Sequence, residues 1–250
     1  MDNLTAQLIR LYLMPDAAAL AGTPDPVPLA SPDGMTRAIV IDFAPRRNAG
    51  ADQHWLDLCE VANRLQEAFD FPAPAVSITG TQGYRLWLSL AEAIPVGDAR
   101  RFLTMLRDAH FTELELQALD AVELPPFLHP ASGKWAAFIH PGMGASFAEE
   151  AGLEVAPPAA AQLAFLESLK SIAKAQFFDA LVSMKQADAG PSSPPTVVTQ
   201  AVPEGLLLKD ATLEDIVRHL HALNIEPTFR HLLPGSSSHL GSLKSALGPE

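Results

Sequence analysis

Residues Ser77–Leu90 read SITGTQGYRLWLSL. An apolar segment from Ala75 to Thr79 runs into Gly80-Thr81-Gln82-Gly83, and an aromatic and aliphatic segment from Tyr84 to Leu90 runs out of it. The flanks have strand character, and the short glycine-containing connection suits a β-hairpin. The same residues raise a chemical question. Glycines leave backbone N–H groups exposed to an anion, Thr79 and Thr81 add hydroxyls, and Arg85 adds a cation. A Walker loop or a dinucleotide fingerprint would open a helix at this point, whereas here a strand follows. Spacing alone therefore favours a structural hairpin.

Upstream, Arg37–Phe43 (RAIVIDF) is a short apolar run rich in β-branched residues and reads as a buried strand. Asp52 to Phe69 is amphipathic, with Trp55, Leu58, Cys59, Ala62, Leu65 and Phe69 at helical spacing and Asp52 as N-cap. This helix ends before Pro72 and Pro74. Downstream, Gly97 to His110 forms a second helix with Ala99, Phe102, Leu103 and Leu106 inward. Glu113 to Leu124 has no decisive period, with Ala121–Leu124 readable as a strand end, and Lys134–His140 (KWAAFIH) is a fourth strand. The order β-α-β-β-α-β is the split βαβ unit of ferredoxin-like, RRM-like α+β domains. Two helices would cover one face of its sheet, leaving the other for a ligand or a further layer.

Composition sets the surrounding organisation. Residues 1–34 hold a short helix (Thr5 to Leu13) and a Pro-rich loop; 35–186 form the α+β core, closed by a long helix from Ala159 to Met184. Residues 187–205 have linker composition. Residues 206–250 hold a C-terminal helical segment, opening at Asp210, and a flexible tail. With 250 residues, 48% of them hydrophobic, the chain can bury a substantial core. Its net charge of −12 gives no global attraction for nucleic acid, so any such contact needs a local basic patch. The single cysteine, Cys59, excludes an intrachain disulfide and fits a reducing cytoplasm. The N-terminal stretch has no signal-peptide pattern and no apolar run is long enough for a bilayer, so a cytoplasmic protein without membrane contact is expected. His219 and His221 stand two apart on a helical pattern, and no Cys/His spacing marks zinc. Ser146 has Gly144 before it but Ala148 after it, which removes the nucleophile-elbow pattern. The stretch around it reads as a turn. Trp87 and Trp135 read first as packing residues and second as aromatics for stacking on a base.

Asp42 ends the first strand, where a carboxylate can meet a metal or a substrate. It can equally pair with Arg46 or Arg47. The residue two positions on is Ala44, so that strand face offers no second acid.

Two of these stretches together resemble motifs of the archaeo-eukaryotic primase (primase-polymerase) superfamily. There, a strand carries an Asp-hydrophobic-Asp pair, often followed by Pro, and a helix leads on to a Ser-Gly-x-x-Gly-x-His hairpin. Ile41-Asp42-Phe43-Ala44-Pro45 is similar to the first motif, and Thr79-Gly80-Thr81-Gln82-Gly83-Tyr84-Arg85 to the second. The resemblance spans about residues 35 to 140 and implies the same β-α-β-β-α-β core. It implies Asp42 as the catalytic, metal-holding position for Mg. Thr79, Gly80, Thr81, Gly83 and Arg85 would be the nucleotide and phosphate positions, with Arg46 in support. The departures bear on chemistry. Ala44 replaces the second metal-binding Asp, and Arg85 replaces the phosphate-contacting His. Two-metal transfer needs carboxylates to hold the cations beside the reacting phosphate. The resemblance thus implies a catalytically impaired nucleotide- or nucleic-acid-binding protein of replication or mobile-element maintenance, with a replication protein as a further partner. Two alternatives remain at this point. One is an active Mg-dependent nucleotidyltransferase that recruits Asp120 or Glu123. The other is a protein-interaction module that binds no nucleotide.

Overall fold

The computed structural model describes residues 3–188, apart from 22–24, 48 and 150. In chain order the strands are β1 (Val27–Pro28), β2 (Met35–Phe43), β3 (Ala75–Ile78), β4 (Tyr84–Pro95), β5 (Ala121–Val122), β6 (Phe127–Leu128) and β7 (Trp135–Ile139). The α-helices are α1 (Asn3–Tyr12), α2 (Gln53–Phe69), α3 (Val96–His110), α4 (Ala159–Ser168) and α5 (Lys174–Asp188). Short 3-10 turns occupy Pro15–Leu20 and Pro141–Phe147. Among the described residues, no helix is long and apolar enough to cross a membrane.

Five strands form one antiparallel sheet in the order β2-β4-β3-β7-β6. The pair β2 and β3, joined through α2, encloses β4 between them. That is the split βαβ arrangement expected from the sequence. The fourth long strand departs from the ferredoxin-like order, which places it beside the first. Here β7 pairs with β3, Ser77 opposite Phe138. The outer edge of β2 is instead met by the stretch after α3: Ala118 bridges to Ile41, and the Leu119 N–H donates to the Val40 carbonyl at 2.8 Å.

The sheet is buried on both faces, which is why β2 reads as a continuous apolar run rather than an alternating one. Ile39, Ile41 and Phe43 of β2, with Leu86, Leu88 and Leu90 of β4, pack on Trp55, Leu58, Val61 and Leu65 of α2 and Phe102, Leu103 and Leu106 of α3. Ala38, Val40 and Trp87 face the opposite way, toward Leu8, Leu11 and Tyr12 of α1 and Leu166 of α4. The second face is therefore covered by a further layer. The N-terminal residues supply much of it, and β1 pairs with β5 through Val27 and Val122. Trp87 is sealed there: its indole N–H donates to Ser77 Oγ at 2.8 Å, and its ring lies 5.0 Å from Tyr12 and 5.4 Å from Phe138. It is unavailable for stacking on a base.

The long helix expected over Ala159–Met184 is two helices. Between them Ile172 bridges in parallel to Leu90, with its N–H on the Ser89 carbonyl at 2.8 Å and its carbonyl accepting from Ala91 N at 2.9 Å. The break has a packing cause. Leu166 of α4 belongs to the α1 side of the sheet, whereas Phe177, Ala180, Leu181 and Met184 of α5 belong to the other. One straight helix cannot serve both faces. The linker and C-terminal helix expected beyond residue 188 lie outside the described residues.

Candidate functional site

The hairpin comes first, because its own hydrogen bonds decide what it can offer. Thr79 N donates to the Gly83 carbonyl at 3.0 Å, and Gly83 N donates back to Thr79 Oγ1 at 3.2 Å. Gly80 N donates to the Ala151 carbonyl at 2.8 Å, and Ser132 Oγ donates to the Gly80 carbonyl at 2.5 Å. Thr81 N reaches Thr79 Oγ1 at 3.4 Å. The backbone donors that would make an anion nest are thus largely spent inside the fold. Gly80 is required by its φ of 78° and by Lys134 O, 3.0 Å from where a Cβ would sit. Gly83 is required by the Phe43 carbonyl, 2.9 Å from its own would-be Cβ. What the hairpin offers a ligand is side chains.

Those side chains converge. A cleft of about 450 Å³ is lined by residues that include Asp42, Ala44, Thr79, Thr81, Gln82, Gly83, Arg85, Glu123 and His129. Of the metal, nucleotide and phosphate positions that the resemblance implies, Asp42, Thr79, Thr81, Gly83 and Arg85 border it, and Gly80 and Arg46 do not. Asp42 and Arg85 are direct partners in the β2–β4 ladder. They continue the sheet face that carries Val40 and Trp87, past the part that the second layer covers.

Arg85 carries the electrostatics. Its Nε lies 3.3 Å from Asp42 Oδ1, and its Nη1 lies 3.0 Å from Glu123 Oε2. Burial works against ionisation of Glu123. Its own backbone N–H, the Arg85 guanidinium and nearby His129 outweigh that effect and hold the carboxyl below its ordinary value. His129 Nδ1 sits 3.2 Å from Ser132 Oγ, tying the ring to the loop that pins Gly80.

Arg46 is placed elsewhere. It donates to Asp57 Oδ2 at 2.7 Å and to the Glu113 carbonyl at 3.0 Å, so it faces a neighbouring cavity rather than the Arg85 cleft. Asp120 is also elsewhere, paired with Arg100 on the surface at 2.8 Å. Of the cleft's other members, the sequence offers Glu123 only as an acid that an active enzyme could recruit, and it gives His129 no role. They come from the irregular stretch after α3, which reaches the hairpin only through tertiary folding.

The donor set does not fit the two divalent cations that nucleotidyl transfer uses. Among the described residues that line the cleft, Asp42 and Glu123 are the carboxylates, both engage Arg85, and Ala44 supplies no side-chain oxygen. Among the described residues, no group of three or more His, Cys, Asp or Glu is gathered as metal ligands. The cation at the centre of this site is a guanidinium.

No family model matches the chain, and no curated protein matches it.

Proposed function

We propose that this chain is a primase-like, nucleotide-binding domain in which an arginine has replaced the metal centre. Catalysis is impaired, and binding of a nucleotide or of nucleic acid remains. The observation that carries this reading is the Asp42–Arg85–Glu123 cluster, set at the tip of the first strand and against the Thr79–Gly83 hairpin in one cleft. The superfamily it resembles joins the same two elements around a phosphate. The ferredoxin-like reading of the core belongs to the same proposal. It is supported by the split unit of β2, β3 and β4, and by Ala118 and Leu119, which meet β2 at Ile41 and Val40 on the edge where such a fold carries its fourth strand.

The charge count sets the strength of binding. One guanidinium stands between two carboxylates, so a triphosphate has to displace one of them to reach Arg85. Binding is therefore weak and salt-sensitive, and it is gated by Glu123. Within this reading the cellular partner is nucleic acid or a replication protein in maintenance of a mobile element.

Calorimetric titration with a nucleoside triphosphate tests the proposal. Wild type binds, Arg85→Ala does not, and Arg85→Lys binds less well because it loses the planar fork. Equal affinity in wild type and Arg85→Ala would remove Arg85 from the site and the proposal with it.

A further inference from the structure

Beside the Arg85 cleft, across the Asp42–Pro45 strand end, lies a second cavity of about 340 Å³. That is within the size range of small-ligand sites. Phe43, Pro45, Leu114, Leu116 and Leu119 give it much of its lining. Asp42, Arg46, His54, Asp57, Glu115 and Gln117 line it as well. Asp57 is satisfied, taking Arg46 on one oxygen and Gln53 Nε2 on the other at 2.8 Å. His54 is not. Its side chain is 2% exposed, its ring leans on Tyr84 with centroids 5.1 Å apart, and neither ring nitrogen has a hydrogen-bond partner.

A buried imidazole with both nitrogens empty is uncommon, because each forfeits the bond it would make to water. We infer that this cavity binds the uncharged part of a nucleoside, with its flat heterocycle against the leucines and its polar edge on His54. Three features select that chemistry. The apolar lining suits a flat ring. Asp42 is exposed enough to accept from a ligand hydroxyl. A neutral imidazole offers one donor and one acceptor, which matches the mixed edge of a base. The torsion that swings the imidazole about its Cβ–Cγ bond is soft, so a nitrogen can turn toward a ligand. Burial is the main influence on His54 and lowers its pKa, with Asp57 and Asp52 opposing, which keeps the ring neutral near pH 7.

The inference stands apart from the Arg85 proposal, because the probe carries no phosphate. Adenosine, guanosine, cytidine and uridine are titrated separately into full-length protein labelled with 15N in its histidine rings. The expected result is a saturable shift of the His54 ring resonances with at least one nucleoside. His54→Phe, which keeps the ring packing on Tyr84, weakens that binding more than tenfold, followed by equilibrium dialysis. Ala44→Trp, a substitution at an exposed position on the cavity rim, does the same without touching the core. No His54 shift with any of the four at saturating solubility would overturn the inference. So would binding that is unchanged in both His54→Phe and Ala44→Trp.

Discussion

Asp42 and Arg85 face each other across the β2–β4 ladder, with the guanidinium Nε 3.3 Å from the carboxylate and its far edge 3.0 Å from Glu123. Directly opposed residues of unlike charge stabilise an antiparallel pair. In this place the pair also occupies carboxylate oxygens that could otherwise meet a cation.

The first prediction concerns Glu123. Removing its charge frees one side of Arg85 for a phosphate. Glu123→Gln should tighten triphosphate binding about fivefold, on the order of 1 kcal/mol. The same titration with Asp42→Asn should move affinity in the same direction. Weaker binding in Glu123→Gln would mean that the carboxylate contacts the ligand instead of competing with it.

Stability should respond in the opposite sense. Arg85→Ala leaves two carboxylates facing each other and should cost about 1–2 kcal/mol in urea unfolding. Solvent reaches Asp42 and Glu123, at 40% and 34% side-chain exposure, which keeps the loss below that of a fully buried pair. A variant as stable as wild type would show that the cluster contributes no net stability.

Acid should destabilise the fold through His54. Its folded pKa lies below the ordinary 6.5, so between those two values the unfolded chain takes up a proton that the folded chain refuses. Stability attributable to His54 is complete above pH 6.5 and falls as pH drops, by at most about 1.4 kcal/mol per unit, until the folded pKa is passed. Glu123, with its lowered pKa, adds a second loss at lower pH: its contribution holds above 4.5 and fades as pH falls through the folded value. The difference in unfolding free energy between wild type and His54→Phe should therefore shift as pH falls below 6.5, and be flat above it. A flat difference throughout would place His54 in a titrating, solvated state.

Two glycines give a stability contrast. A Cβ on Gly144 would land on the Trp55 ring, and the Gly144 carbonyl accepts from Tyr84 Oη at 2.8 Å. Gly144→Ala should cost about 1–3 kcal/mol or more, since the collision is with a packed aromatic. Gly97, in the first turn of α3, has open space where its Cβ would be. Gly97→Ala should be neutral or stabilise by up to about 1 kcal/mol. Thermal unfolding of the two variants side by side checks both signs.

Particular elements account for what the sequence revealed and what it hid. β2, α2, β3, β4 and α3 carry strong periods, and their observed bounds lie within a few residues of those expected except at the far end of β4, which runs on to Pro95. The hairpin was readable because its glycines meet steric demands: the φ of Gly80 and the Phe43 carbonyl against Gly83. The break at Leu169–Ala173 was not, because Leu163, Leu166, Leu169 and Ile172 keep a helical spacing while serving different faces of the sheet. The edge of β2 is covered by a stretch with no period of its own, so the strand order could not be read. Asp42 and Arg85 were legible as candidates. Their contact with Glu123 and His129 depends on where an irregular connection lands, which local pattern does not encode. Arg46 illustrates the converse: a cation near the site in sequence is taken by Asp57, a helix residue that neutralises it.

Primer extension with labelled nucleoside triphosphates tests the central claim most directly. Wild type and Asp42→Ala are compared on a primed template with Mg²⁺ and with Mn²⁺. With Arg85 holding both carboxylates, the expected result is no incorporation above the protein-free control in either protein, under conditions where wild type binds the triphosphate. Metal-dependent incorporation by wild type that Asp42→Ala abolishes would contradict the account, because Asp42 would then be holding a metal ion instead of a guanidinium.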